Sequence, residues 1–466
     1  MSGVETYLAE HYEEALEDLK AFCRIPSVST DPAFNEGILA AAEFMANRLK
    51  KAGFASVEVL DTGGHPAVYG QVISDAALPT ILVYGHYDVQ PPDPLDKWAS
   101  PPFDPSIRED RLYARGVSDD KGPLLIPILV VEAYLNNEGR LPVNLKILIE
   151  GEEESGSEHF EPTLERNRGR LACDLVISAD GAMWRPDRPS MTVASRGMVA
   201  IDVTVTGASK DLHSGRHGGS APNPIRALCK LLASFHDAEA RVAVPGFMDG
   251  IKSLDPTILT AIDVADFDAG AYYREIGTPK PDPIENGSQL LVRQWLEPTL
   301  EFNGIFGGYQ GPGTKTVIPS SASVKITCRL VAGQKPSKVI EAITRHLETN
   351  LPAGYGLQIE PHGPGSEAFS VDPNLPGLLA AESVLAELLG SYPLRVAMGA
   401  TIPIGTAFRK YLGAEVIFFS FSTSDEDYHA PNEFFRLSNF RTGLVAWARL
   451  LGRLADHPKL EPTIII

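Results

Sequence analysis

Five short apolar runs in this 466-residue sequence are each followed by residues able to hold a cation. TILVYG leads into His86-Tyr87-Asp88, RLYARG into Val117-Ser118-Asp119-Asp120-Lys121, and VNLKILIE into Gly151-Glu152-Glu153-Glu154. CDLVIS leads into Ala179-Asp180-Gly181, and EVIFFSF into a stretch ending SDEDYHAPNE, which contains His429. In extended chain His86 and Asp88 project to the same side, so the imidazole can meet a metal while the carboxylate grips its second nitrogen. Three consecutive carboxylates beyond a buried strand repel one another unless a cation or solvent screens them. Each segment alone has an ordinary explanation: a hydrogen-bonded histidine, a capping turn before a helix near Pro123, a solvated acidic helix start. Together, hard oxygen donors mixed with imidazole suit Zn²⁺ or Mn²⁺ rather than copper or an iron–sulfur cluster. Two such cations sharing a carboxylate, about 3.5–4 Å apart, make a co-catalytic hydrolase site.

These residues need a scaffold that gathers strand ends. Leu8, Tyr12, Leu16, Leu19 and Cys23 recur at helical spacing up to Pro26, and a second helical pattern runs over about 38–49. Apolar runs at 67–73, 80–85, 143–150 and 173–178 then alternate with helical stretches such as 124–135, the pattern of a sheet covered on both faces. From about 196 the style changes: 198–205 and 321–331 alternate apolar and polar residues, as half-exposed strands do. With helices over 222–236 and 336–348 and strands near 299–306 and 356–360, the order is β-α-β-β-α-β, interrupted by a Pro- and Asp-rich insertion at roughly 240–290. A helix near 375–389, an apolar strand at 415–421 and a helix at 438–453 restore the first style. The expected fold is therefore α/β: a discontinuous three-layer α/β/α domain, 1–195 and 366–466, carrying an inserted two-layer α+β domain, 196–365, to which the resemblance described below gives the roles of catalytic domain and of lid or dimerisation domain.

Composition narrows the partners. There are 41 lysines and arginines against 60 aspartates and glutamates, a formal charge of −19 that repels phosphate backbones and anionic headgroups. Nucleic acid and membrane are accordingly not expected as partners. The apolar run at 124–131 is too short to span a bilayer, and the acidic start MSGVETYLAEHYEE lacks the character of a secretion signal. Cys23, Cys173, Cys229 and Cys328 show no paired spacing, which argues against a disulfide scaffold. The expected location is cytoplasmic.

GHYDVQP, ARGVSDDKGP, EGEEESGS, DLHSG and YHAPNE resemble, in order and spacing, the signatures of the aminoacylase/carboxypeptidase-like di-metal peptidase family, within it most closely the dipeptidase branch of cytosolic non-specific dipeptidase and carnosinase. The resemblance spans nearly the whole chain. It implies that His86, Asp119 and Asp180 hold one metal, and that Glu154 and His429 hold the other with Asp119 bridging. It makes Asp88 the residue that orients His86 and Glu153 the general base, and it implies a cis Asp119–Asp120 peptide. His213 of DLHSG would reach the active site of a partner subunit across a homodimer formed by the inserted domain. Thr316, Arg329 and Thr401 would contact substrate, Arg329 by gripping its carboxylate. The implied cofactors are two divalent ions per subunit, zinc first and manganese second. The implied reaction is hydrolysis of the amide bond of dipeptides or short peptides with a free C-terminal carboxylate, by metal-activated water. An N-acyl-amino-acid deacylase of the same family is the alternative. Two positions depart from the close relatives: Ala179 stands where Ser more often precedes the aspartate, and no histidine lies near 369–374.

Overall fold

A computed structural model describes residues 2–253, 256–279 and 286–456. The chain divides into two compact units: one from the residues up to Val193, Val371–Val396 and those from Ala407 on, the other from Ala194–Ser370 and Ala397–Thr406.

The first unit is built on a six-stranded sheet. Its strands are β1 (Ser56–Leu60), β2 (Ala67–Val72), β3 (Thr80–His86), β4 (Asn144–Glu150) and β5 (Leu175–Ser178), plus Glu415–Phe418 at one edge. The spatial order is β1-β2-β4-β3-β5 followed by Glu415–Phe418. β1 and β2 are antiparallel additions; β4, β3, β5 and the edge strand run parallel. β4 is buried at every position, as a strand covered on both faces must be. Successive side chains point to opposite faces. Tyr84 accordingly packs into an edge-to-face cluster with Phe160 and Phe408, with ring centroids 5.4–5.5 Å apart, while Gly85 turns to Leu124 on the other face. Leu124 belongs to the helix Gly122–Glu138, which starts with Pro123 in its first turn, where no amide is needed, and ends at the left-handed Gly139. The helix Leu437–Leu454 lies against it, with the Tyr134 hydroxyl donating to Ala448 O at 2.8 Å. The layers are helix, sheet, helix.

The second unit carries a four-stranded antiparallel sheet: β6 (Gly197–Thr206), β7 (Thr299–Gly307), β8 (Ser321–Leu330) and β9 (Gly356–Pro361), in the order β7-β8-β6-β9. Val199, Ile201, Val203 and Val205 alternate inward on β6, as Val324, Ile326, Cys328 and Leu330 do on β8. The helices Pro224–Leu232 and Pro336–Asn350 cover that face with Leu228, Leu231, Val339, Ile343 and Leu347. The long insertion contributes helices of its own, Pro256–Val264, Ala269–Glu275 and Gly287–Leu296.

Two local expectations differ. The periodic stretch ending at Cys23 forms two helices, Gly3–Glu10 and Tyr12–Cys23, because the chain leaves helical geometry at His11 (φ −101°, ψ 15°). The late apolar strand ends at Phe418, three residues before its apolar run does, and Phe419 and Phe421 instead pack edge to face in the core, where Trp447 covers Phe419. None of the described helices is long and apolar enough to cross a membrane.

One buried side chain organises the turn that feeds β3. Asn144 Oδ1 accepts from the amides of Ser74 and Asp75, and its Nδ2 donates to the carbonyls of Asp75 and Leu78. Asn144→Ala strands these buried groups and is expected to cost about 1–3 kcal/mol. It should be read as a lower urea midpoint at unchanged slope.

Candidate metal centre

The four parallel strands end on one edge, with His86 in register beside Glu150 and Ser178 beside both Tyr84 and Phe418. The loops that leave this edge therefore start side by side, and open α/β sheets bind ligands at such an edge. A Cβ on Gly85 would stand 2.6 Å from Asp120 Oδ2, so the 117–121 segment lies this close to β3 because residue 85 has no side chain. That segment is a wide turn in which Asp119 leaves helical geometry (φ −126°, ψ 91°), and the Asp119–Asp120 peptide is cis. No side chain caps the helix that follows, so Asp119 is free of the capping role open to it in the sequence.

Asp119 lies between two imidazoles. His86 Nε2 is 3.1 Å from its Oδ1 and His429 Nε2 is 3.0 Å from its Oδ2. Asp180 Oδ1 is 4.0 Å from His86 Nε2, and Glu154 Oε2 is 3.2 Å from His429 Nε2. Potential ligand atoms of His86, Asp119 and Asp180 lie within 4.8 Å of one another, as do those of Asp119, Glu154 and His429. Glu153 adjoins both groups, and no described residue hydrogen-bonds its carboxylate.

The charges do not balance. Burial, reinforced by the neighbouring carboxylates, pushes Glu153 well above the usual carboxylate range despite His86. Burial likewise raises Glu154, and raises Asp180 to about 6. Burial also acts upward on Asp119, but hydrogen bonds from His429 and His86 outweigh it and hold this carboxylate low. His86 is fully buried, which disfavours its charged form, yet Asp119 and Asp88 keep its pKa well above normal. Asp119 and Glu154 push His429 up to about 10. Among the described residues the only cationic partners of Asp119, Asp180 and Glu154 are these two histidines. Clustered oxygen donors with surplus negative charge and two imidazole nitrogens fit divalent cations.

Several details were not visible in the sequence. Asp88 faces His86 Nδ1 mainly through its backbone carbonyl, at 3.0 Å against 3.4 Å for the carboxylate oxygen. Its carboxylate accepts from the amides of Glu153 and Glu154, so Asp88 also fixes the acidic turn. Glu152 turns away, to the amide of His65 and the ring of His159. Gln90 Nε2 donates to Glu154 Oε2 at 2.8 Å, and the buried Glu433 accepts from the amides of Gly116, Ser118 and Asp119. Gln90 stands in GHYDVQP and Glu433 closes YHAPNE, but nothing in either motif shows which distant groups they meet.

His213, Thr316, Arg329 and Thr401 belong to the second unit. His213 pairs with Val317 on a short ladder, and its Nδ1 accepts from the amide of Gly215 at 3.0 Å. The neutral ring therefore carries its proton on Nε2, an outward donor. The carbonyl of Thr316 accepts from Ser214 N. Arg329, on β8, donates from Nη1 to Thr401 Oγ1 at 2.7 Å. Arg196 braces the same turn by donating to Gly399 O, and burial together with Arg329 lowers it to about 10.

The model of the family described as peptidase family M20/M25/M40 matches residues 82–453. A Beta-Ala-His dipeptidase of Mus musculus is 29% identical over 97% of this chain and 95% of its own length. A Cys-Gly metallodipeptidase of Schizosaccharomyces pombe is 30% identical over 95% of this chain and 96% of its own. The solved structure of an M20 family metallo-carboxypeptidase from Sulfolobus solfataricus superposes with a TM-score of 0.83 at 30% identity, covering 95% of this chain and 100% of that one.

The raised His429 predicts proton release. Below about pH 10 its ring is protonated in the metal-free protein, and a protonated imidazole cannot ligate. Divalent-metal affinity should therefore rise from pH 7 upward, and binding at pH 7 should expel protons. Calorimetry in two buffers of different ionisation enthalpy checks this; a heat independent of buffer would contradict it.

Proposed function

The chain belongs to the M20/M25/M40 peptidase family and is a metallopeptidase. On that premise we propose that it hydrolyses the amide bond of dipeptides or short peptides with a free C-terminal carboxylate. The observation that carries this reading is the pairing of two three-residue ligand groups, joined at Asp119, with a half-buried Glu153 whose carboxylate accepts no hydrogen bond from the described residues. Names of relatives that act on Beta-Ala-His and Cys-Gly support a dipeptide substrate.

His86, Asp119 and Asp180 would hold one divalent ion and Asp119, Glu154 and His429 a second, zinc first and manganese as the other candidate. When bound, such ions supply Lewis acidity toward water and toward a carbonyl oxygen. Glu153 takes the proton of the attacking water and returns it to the departing amine; acid–base work of this kind is worth about 10²–10⁴-fold. A carboxylate held above its usual range suits both halves of that task. Asp88 keeps Glu153 and Glu154 in place through their amides. His213 donates from Nε2 to the developing oxyanion, a contribution of about 10²–10³-fold. Arg329 receives the substrate carboxylate, Thr401 orients its guanidinium, and Thr316 contacts the substrate backbone.

His213 would act in the site of a second subunit. The outer strand β7, with Ile305 56% and Phe306 50% exposed, supports pairing of two copies through the second unit. The four cysteines are unpaired, which supports a reducing, cytoplasmic setting.

Glu153→Gln should keep metal yet lose about 10²–10⁴ in kcat; substantial residual turnover removes Glu153 as the base. Arg329→Ala should raise KM for free-carboxylate dipeptides and leave their amidated counterparts unchanged. Stronger cleavage of N-acetyl or N-succinyl amino acids than of dipeptides would favour the deacylase. His213→Ala and Glu153→Gln subunits, each inactive, should regain activity on mixing, and no recovery on subunit exchange counts against action across a dimer.

A further inference from the structure

The two ligand groups meet at one residue, and the backbone of that residue is held from a distant part of the chain. Asp119 turns one carboxylate oxygen to His86 and the other to His429, which lies 310 residues away. Any shift of the Asp119 backbone therefore moves both groups at once. Glu433 controls that backbone: its Oε1 accepts from the amides of Ser118 at 2.9 Å and Asp119 at 3.2 Å. Its Oε2 accepts from the amide of Gly116 and from Arg115 Nη1, each at 2.8 Å. Glu433 is 1% exposed and stands four residues beyond His429, so a single side chain ties one ligand loop to the other.

The same stretch holds Ser118, the residue before Asp119, at every polar atom. Its amide goes to Glu433, its hydroxyl donates to Glu426 Oε2 at 2.6 Å, and its carbonyl accepts from Ser422 Oγ at 2.6 Å. Glu433 belongs to neither ligand group.

We propose that Glu433 is a positioning residue for both candidate ligand groups, its carboxylate presetting the placement of Asp119 between His86 and His429. This rests on reading the cluster as a metal centre. Four converging donors need the four acceptor sites of a carboxylate, whereas a glutamine of the same shape offers one oxygen and turns its NH₂ toward two of the donors. Glu433→Gln thus breaks half of the grip while nearly conserving volume. Partners of this kind, one step removed from the ligands, typically govern affinity by about 10–100-fold.

The test uses metal-stripped full-length protein titrated with Co²⁺, reading dissociation constants by calorimetry and ligand geometry by the visible d–d spectrum. Glu382→Gln serves as control: Glu382 is equally buried and forked to Arg395, but bonds to nothing in the cluster. Folded Glu433→Gln should bind Co²⁺ about 10–100-fold more weakly with an altered spectrum. Glu433→Asp, which keeps both oxygens on a shorter stem, should show a smaller change in the same direction. Glu382→Gln should keep wild-type affinity and spectrum whatever its stability. Wild-type affinity and spectrum in Glu433→Gln, or an equal loss in Glu382→Gln, overturns the proposal. If Glu433→Gln does not fold, wild-type behaviour of Glu433→Asp overturns it instead. Failure of the unaltered chain to bind Co²⁺ would sink the metal-centre reading itself, a result distinct from failure of Glu433 alone.

Discussion

Uncompensated negative charge gathered around the ends of parallel strands is the constraint on which the rest of this structure depends. Asp119, Asp180 and Glu154 are drawn together, half-buried, with two imidazoles as their cationic partners, and Glu153 adjoins them. Carboxylates crowded in this way resist ionisation, and the raised Glu153, Glu154 and Asp180 register that resistance. Divalent cations relieve it. The hydrolytic chemistry of a metallopeptidase is therefore stored in the fold as electrostatic tension that the metal-free chain meets only in part, with protons on its histidines.

The sheet makes such crowding achievable. Strands buried on both faces give a rigid platform, and parallel neighbours deliver their carboxyl ends to one edge, so four loops begin side by side, each one strand spacing from the next. Rigidity at the strand ends is then extended into the loops by buried polar side chains. Asp88 grips the acidic turn, Gln90 steadies Glu154, and Glu433 with Glu426 clamps the approach to Asp119. The 427–432 loop has left-handed backbone at Asp427, His429 and Asn432, a geometry maintained only where surrounding contacts dictate it.

The second unit obeys a different logic. Its sheet is apolar on one side only, and its long edge strand leaves apolar side chains in water. In the same unit Arg329 and Arg196 hold the 399–401 turn, the first through Thr401 Oγ1 and the second through Gly399 O.

Much of this was legible in the sequence because both kinds of pattern are local. A strand buried on both faces reads as a short apolar run, a half-exposed one as alternation, and a ligand after a strand end announces itself by type. His86, Asp180 and His429 stood out for that reason, as did the α/β class, whereas only the resemblance of the five motifs singled out Asp119 from Asp120 and Glu154 from its neighbours. What composition and period could not say is where a side chain points once the strand has ended. Glu152, Glu153 and Glu154 are identical in sequence; the short turn Glu153–Ser155 and the hydrogen bonds from the amides of Glu153 and Glu154 to Asp88 decide that the first turns toward His65 and His159 and the others toward the ligand groups. Glu433 was invisible as a partner of Asp119 because the bonds that join them cross more than 300 residues of chain. Sequence determines which groups are available and roughly which element carries each, since propensity and periodicity act over a few residues. Tertiary structure alone decides which of those groups share a few ångströms of space, since that depends on contacts between segments the chain order keeps far apart.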